Sequence, residues 1–482
     1  MSYMCGYDVR DVFVGEDLHL ETAGRRLDVA ALAAFQDAFL GHVILPGNPA
    51  YDRARRVWNG MIDRRPALVA QCSCVADVRE AVRFAREHRL LLSVRGGGHS
   101  VAGFATCEGG MVLDLGLMRE VTVDPALRVA NVEGGALLSE LDASAQRFGL
   151  ACPVGVVGHT GVGGLTLGGG MGRLQRKYGF TIDNLLAVEM VAADGRLVRS
   201  DEDENADLFW ALRGAGANFG VVTSFKFRLH PVGPNVVQGL VLFPIERALE
   251  LAKLARDLAT NAPDELSFSM GFGVASGPSA SAAKLEGRPV VHLEATHCGP
   301  VDEAMAYLWR IRRGNPPIDT FAPKSYVTVQ LMEDDLLAWG HRFYMKNAFL
   351  PALSDEVVRI CADRVSKAPG ACWVSVMAQG GAIARVADDD SAFAGRQAAF
   401  WCSVETLWDD PSRDGEFVGW ARATMAELKP FTTGGGYVND VVESGQEVVR
   451  SIYGEAKHQR LIGLKRLWDP TNLFRLNQNL RP

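Results

Sequence analysis

Two or more compact units of mixed helix and strand are what this amino-acid sequence predicts: an α/β or α+β module followed by a domain with longer strands. Three observations predict it. At 482 residues the chain is too long for one ordinary core. From Ile44 to Asn235 short apolar runs alternate with helical patterns. After His230-Pro231 and the turn at Gly233-Pro234 the texture changes to longer strand patterns. With 48% hydrophobic residues there is enough apolar material for both cores.

Taken in order, residues 1–34 are polar and mixed in charge and read as an N-terminal extension. In the first unit, 35–235, residues 67–71 read as a strand, Val75–Glu87 as an amphipathic helix and 90–94 as a second strand. In the second, 236–430, residues 290–295 and 373–379 read as strands and 355–367 as a helix. The tail, 431–482, returns to Gly, Asn and aromatic residues. It predicts one helix over about 446–467, stopped by Asp469-Pro470, before the closing WDPTNLFRLNQNL. No repeat of fixed period and no long low-complexity tract is visible.

Charge and cysteine usage narrow the partners. Lys plus Arg total 50 against 57 Asp plus Glu, a net charge of −7 with no long basic block, which argues against nucleic acid and anionic membranes and for a small molecule. The first 20 residues lack an apolar run after a basic start, and nothing approaches the roughly 20 apolar residues of a membrane span. Nine cysteines, an odd number in no framework spacing, suit a reducing compartment, so a cytoplasmic location is expected. Cys72-Ser73-Cys74 is no zinc ribbon, and no metal is expected. Oligomeric state is not readable.

Two glycine-dense segments stand out: Arg95-Gly96-Gly97-Gly98-His99-Ser100, directly after a strand, and the stretch from Gly161 to Gly172. Glycine permits positive φ and close approach of peptide N–H groups, which is how loops wrap a pyrophosphate. Either segment alone is more simply turns and tight packing; two of them beside a histidine suit a dinucleotide. Neither is a Rossmann fingerprint, because Gly161, Gly163 and Gly164 lack the next required glycine, and no P-loop lysine follows.

These segments, with PGNPAYDRARRVWNGMIDRRP (46–66), SVRGGGHSVAG (93–103), VEGGALLSELD (132–142), TGVGGLTLGGGMGRLQRKYGFTIDN (160–184), DLFWALRGAGANFGVVTSF (207–225) and IYGEAKHQRLIGLKRLWDPTNLFRLNQNL (452–480), carry a resemblance. The chain resembles the flavoproteins related to vanillyl-alcohol oxidase and p-cresol methylhydroxylase, and among them the bacterial berberine-bridge-enzyme-like branch. The resemblance implies an α+β fold: a two-part FAD-binding domain of the p-cresol methylhydroxylase type, 35–235 and 431–482, with an antiparallel-sheet substrate domain inserted at 236–430. It implies FAD bonded through the 8α carbon to a ring nitrogen of His99, and further cofactor contacts from Arg95, Gly96, Gly97, Gly98, Ser100, Gly103, Gly161, Gly164, Gly168, Gly169, Gly172, Val222, Asn477 and Asn479. Such a bond withdraws electron density from the ring and makes it a stronger hydride acceptor.

The same resemblance implies the chemistry. Many relatives add a cysteine link to the flavin; that slot falls here on Val157, five residues beyond Cys152, so a single link is expected and Cys152 reads as a small buried apolar residue. Thr160 occupies the slot lining the oxygen approach, where small β-branched residues resemble oxidases; its hydroxyl also suits oxygen transfer, and dehydrogenase reoxidation is the other alternative. Tyr437 matches a C-terminal tyrosine-x-asparagine element and Tyr178 a second active-site tyrosine; either is a candidate base. A phenol needs a nearby cation or donor to ionise, since its ordinary pKa is about 10. Asp440 stands where relatives carry an aromatic residue. Gln330, Lys346 and Arg396 read as pocket or salt-bridge residues, and His159 as structural or substrate-touching. The expected activity is hydride removal from an alcohol, amine or phenolic carbon, with O2 reduced to hydrogen peroxide. Two rivals remain: an acyl hydrolase using Ser100, whose surroundings narrowly miss the nucleophile-elbow motif, and a non-catalytic flavin-binding protein.

Overall fold

The computed structural model describes residues 28–482 together with the backbone of Glu21–Thr22 and Arg25–Arg26, two short strands paired antiparallel. Most of the expected extension therefore lies outside the described residues. Its expected boundary at 34/35 is corrected: the helix Val29–Ala38 runs across it, started by Asp28, whose carboxylate accepts from the Ala30 amide at 3.1 Å. Leu32 and Phe35 are buried, and the Phe35 ring stacks on Phe84 with centroids 4.3 Å apart. Each such burial stabilises by roughly 1.5–3 kcal/mol, so this helix is part of the first core.

Three larger sheets follow, beside a two-stranded pairing of His230–Pro231 with Leu150–Ala151. In the first, His42–Ile44, Leu68–Gln71, Met111–Asp114 and Leu92–Arg95 lie side by side, the last three parallel. Val75–Glu87 closes it, burying Val78, Ala81, Val82 and Ala85 at helical spacing. The second sheet is antiparallel, ordered Leu197–Asp201, Leu185–Ala192, Gly220–Arg228, Val129–Glu133, Val121–Asp124. The tail packs on both. Its helix, Gln446–Trp468, buries Val449, Ile452, Leu461 and Leu464 in the core of the second sheet, and Leu473 and Phe474 enter the core of the first. That helix is not continuous as expected, for Gly454 at φ +73° breaks it. In its last turn Lys465, fully buried, pairs at 2.7 Å with Asp469 just past the helix end, and Asp469 also takes the amides of Leu473 and Phe474 at 2.8 and 2.9 Å.

The third sheet is the largest and antiparallel: Ile318–Asp319, Asn235–Pro244, Pro289–His297, Leu266–Val274, Cys372–Ala378, Phe400–Trp408, Arg342–Leu350. Strand side chains alternate in direction. Phe268, Met270, Leu293, Val374, Val376, Cys402 and Val404 point into a core shared with the helices Ala248–Asn261, Asp355–Ser366 and Asp414–Leu428. The intervening residues form the opposite face, which the glycine loops confront. Among the described residues no helix is long and apolar enough to cross a membrane.

Candidate active site

A cavity of about 650 Å3 lies between the two glycine segments and that opposite face. Arg95 ends its strand in a buried ion pair with Asp114, its register neighbour, at 2.7 Å. Burial alone would raise the Asp114 pKa; the Arg95 charge and hydrogen bond, helped by Gln71 and the Gly116 amide, hold it below the usual carboxylate value. With the strand end fixed, Gly96, Gly97 and Gly98 swing past Gly161 so closely that a Cβ on Gly97 would run into the Gly161 amide nitrogen, and one on Gly161 into that of Gly97. Gly98 sits at φ +72°, and Gly164 faces open space on the cavity wall.

His99 lines this cavity, its ring stacked on Trp58 at 4.6 Å. Its Nε2 is 2.6 Å from His159 Nδ1, and His159 Nε2 is 3.4 Å from the Asp334 carbonyl. A carbonyl only accepts, so His159 carries its proton on Nε2 and accepts at Nδ1; His99 then donates from Nε2 and leaves Nδ1 without a proton. Burial, and then the neighbouring His159, lowers the His99 pKa to about 3, so the ring is neutral.

The cavity gathers many of the expected residues and leaves others out. Gly96, Gly97, Gly98, Ser100, Thr160, Gly161, Gly164, Gly168, Gly172, Tyr437 and Asn477 line it. Arg95, Gly103, Gly169, Val222 and Asn479 stand behind the lining: Gly103 and Gly169 supply positive-φ turns, and Val222 lies buried on the second sheet. The Asn479 carbonyl accepts from Gln446. Tyr178 is not at the cavity. Its ring stacks on His230 at 4.0 Å, its hydroxyl donates to the Pro231 carbonyl at 3.3 Å, and Lys177 beside it pairs with Glu265. Leu165, Leu167 and Met171 are the side chains that the second glycine segment contributes to the cavity lining. Cys152 is buried in the second core while Val157 lines the cavity. The Ser100 hydroxyl accepts from the Phe104 amide at 3.1 Å while the His99 ring turns to His159, so no serine–histidine pair forms there. Gln330 braces the Gly155 carbonyl at 3.0 Å, Lys346 pairs with Glu443 at 2.6 Å, and fully buried Arg396 grips Asp183 with two bonds. None of these three lines the cavity.

Tyr437 is held by its oxygen. The Gly170 amide donates to it at 3.0 Å and Asn439 Nδ2 at 2.7 Å, while Asn439 also reaches the Leu165 carbonyl. Burial, and then the nearby Asp440 carboxyl, nevertheless push its pKa up despite those donors. Among the described residues no cation offsets this, and the phenol is protonated at neutral pH.

Sequence reasoning missed the sheet wall. Three rungs cross it in register: Met345, Glu405 and Trp373; Ser403, Ser375, Gly271 and His292; Trp401, Met377, Ser269 and Glu294. Gly271 leaves room for the His292 ring, which a Cβ there would strike. Glu405 accepts from Ser403 and Trp373; burial first, and then repulsion by Glu333, raise its pKa to about 7. Asp440, buried and repelled by Glu405, is raised to about 8. Glu333 is raised by burial and by Glu294, against the pull of Arg173 at 3.1 Å. The available signal for Glu405 was a lone acid in the apolar strand FWCSVETLW, on the face of Trp401.

The loops suit a flavin dinucleotide. Side-chain N–H groups of Asn477 and Gln478 are spent on backbone carbonyls, while Asn477 Oδ1 and Gln478 Oε1, buried at the cavity, have no partner and would accept from the polar edge of the ring system. The comparisons agree. Residues 66–201 match an FAD binding domain, and 436–481 match the family described as berberine and berberine like. An FAD-linked oxidoreductase of Dictyostelium discoideum is 32% identical over 93% of this chain and 96% of its own. The (R)-6-hydroxynicotine oxidase of Paenarthrobacter nicotinovorans is 32% identical over 92% and 97%. The crystal structure of 6-hydroxy-D-nicotine oxidase from Arthrobacter nicotinovorans superposes with a TM-score of 0.83 at 29% identity, covering 92% of this chain and 98% of that one. A cradle of paired glycine loops, a tail returning to close it and an antiparallel sheet facing it are thus shared with flavoenzymes, and the chain belongs to the berberine-bridge-enzyme-like FAD-linked oxidoreductases of the vanillyl-alcohol oxidase and p-cresol methylhydroxylase superfamily.

Proposed function

We propose that this oxidoreductase is an oxidase that takes a hydride from a carbon of a small organic substrate, with FAD linked to the protein through His99 and O2 as the final acceptor, giving hydrogen peroxide. The observation that carries the reading is His99: neutral, at the cavity, with Nδ1 left free by the hydrogen bond to His159. Bound FAD supplies the two-electron acceptor; the chain supplies the rest. Gly96–Gly98 and Gly161–Gly164 would bring backbone to the pyrophosphate, and Asn477 with Gln478 would accept from the ring edge. Substrate would lie between that ring and the sheet wall, and Thr160 at the cavity supports access for O2 over a bulkier side chain.

Hydride loss also requires a proton acceptor, which a protonated, donor-bound Tyr437 serves poorly. Glu405 and Asp440, raised to about 7 and about 8, hold or release a proton near neutral pH, so we assign them the base and leave Tyr437 to position the substrate. The eight described cysteines, all free, support a reducing, cytoplasmic setting. Acid precipitation tests the reading: a yellow pellet, flavin mass on the His99 peptide and peroxide released on turnover are expected. Flavin left wholly in the supernatant overturns the linkage, and turnover without peroxide overturns the oxidase.

A further inference from the structure

Arg173 directly follows Gly172, and its side chain reaches the sheet wall of the cavity, where Nη2 pairs with Glu333 at 3.1 Å and with Glu294 at 3.6 Å. Its Nε and Nη1 are buried and have no acceptor, and the Ser267 hydroxyl on the same wall is buried without a partner as well. A guanidinium keeps its charge and only donates, so what is open at Arg173 calls for an acceptor, and a buried donor without one is costly. The neighbouring charged groups do not supply it. Asp142, away from the cavity, feels the Arg173 charge, but its Oδ2 accepts from Gln330 at 3.2 Å and it makes no bond to Arg173. Lys324 is a donor itself and reaches Glu294 only through Gln238.

We propose that Arg173 and Ser267 form a subsite for an uncharged carbonyl oxygen of the substrate. The inference rests on the reading that substrate lies against the sheet wall, and adds what one end of that wall recognises. Ser267 faces Thr296 and Ser269 faces Glu294 on neighbouring strands, so the subsite belongs to the sheet and not to the glycine loops that suit the cofactor. An oxygen of carbonyl type has two lone pairs and takes one donor from each residue. Charge selects against an anion there. Glu294, Glu333, Glu405 and Asp440 line the cavity, and among the described residues Arg173 is the only lysine or arginine that does. Even Glu333, paired with Arg173, has its pKa raised by burial and then by Glu294, so a substrate carboxylate would add a charge where a resident one is already disfavoured. The subsite also gives the substrate a direction. Ser267 and Glu405 stand on strands separated by Cys372–Ala378, about 10 Å apart across the sheet, so an oxygen held by Arg173 sets which carbon is presented to Glu405. Trp373, Trp401 and Phe343 supply aromatic faces between the walls for a flat ligand.

The test uses flavin-loaded protein at neutral pH, titrated separately with acetophenone, with α-methylstyrene, in which a methylene replaces the carbonyl oxygen, and with benzoate, while the visible flavin band is followed. Acetophenone is expected to bind about tenfold more tightly than α-methylstyrene, the worth of a hydrogen bond from a charged donor, and more tightly than benzoate. Arg173→Lys keeps a charge for Glu333 and removes the open donors; it is expected to bring acetophenone to within about threefold of α-methylstyrene. Ser267→Ala is expected to lower the same preference by a smaller factor, with FAD content and the unliganded flavin band at wild-type values in both variants. Equal or tighter binding of α-methylstyrene, tighter binding of benzoate, binding of none of the three, or full preference in Arg173→Lys overturns the proposal. A folded Arg173→Lys that loses FAD or shifts the unliganded band assigns the donors to the cofactor and overturns it too; should that variant not fold, an undiminished preference in Ser267→Ala does so. A protein with the expected preferences whose turnover yields no peroxide fails the oxidase reading alone.

Discussion

The two walls of the cavity are built in opposite ways. The glycine wall is backbone: Gly96 to Gly98 and Gly161 to Gly164 are contiguous in sequence, and their work is done by peptide groups and the absence of Cβ atoms. The sheet wall is side chain: Glu405 meets Trp373 and Met345 across rungs, and Ser269 meets Glu294 and Met377, so each neighbourhood draws on strands far apart in the chain. One wall is made to hold a constant partner, the other to be changed residue by residue around it. Cofactor identity and substrate identity are therefore separable in this molecule, and substitutions in each wall should affect different readouts.

The largest separation is expected in the glycine wall. His99→Ala should abolish acid-stable flavin while leaving the fold intact, because the ring stacks on Trp58 at the cavity and carries no second core contact beyond His159 and Trp339. Gly97→Ala should be more general in its damage: the new methyl meets the Gly161 backbone, at a cost of about 1–3 kcal/mol in thermal denaturation and with loss of bound FAD. Ser375→Ala on the sheet wall should leave FAD content at the wild-type value. Equal FAD loss in both would break the division between walls.

That division also explains what was legible. The flavin cradle could be read because its demand is local: RGGGH after a strand, a second glycine run, and the WDPTNLF tail are each contiguous. Val75–Glu87 was legible for the same reason, its apolar face recurring at helical spacing. Glu405 and the rungs around it were not, since register between distant strands is a tertiary fact. Tyr178 was misplaced by its motif: a match fixes position in the chain but not the direction of a side chain, and this one turns to His230. Leu32 and Phe35 lie in the apolar run VAALAAFQDA, which was grouped with the polar residues before it, and Gly454 inside a helical pattern gave no sign of its left-handed break.

On the sheet wall, Glu405→Gln should lower kcat/KM by about 100-fold or more with FAD content unchanged, as befits loss of a proton acceptor. Its pH profile sharpens the point. The groups facing this pair are Ser403, Trp373 and Glu333 about Glu405, and Tyr437 and Glu405 about Asp440. Activity of the wild type should rise as pH climbs through about 7 to about 8, the values to which burial and mutual repulsion raise the two carboxyls. Stability should run the other way. Between the usual carboxylate range and those raised values the folded chain keeps protons that the unfolded chain has released, so stability falls as pH rises through that window. Glu405→Gln should flatten part of both slopes; an unchanged activity profile removes Glu405 as the acceptor.

The tyrosines give the smallest effects and the finest test. Tyr437→Phe removes an oxygen that ties Gly170 and Asn439 together, and flavin reduction should slow by about tenfold or less, since the lost group positions and does not take the proton. A loss as large as that of Glu405→Gln would return the base to Tyr437. Tyr178→Phe should leave kcat/KM within about twofold of wild type and cost at most about 1 kcal/mol, the worth of one hydrogen bond to the Pro231 carbonyl, because its ring still packs on His230. The comparison is sharpest here, for the two tyrosines have equal claims as motif residues and differ in where the fold turns them, Tyr437 to the cavity and Tyr178 to His230.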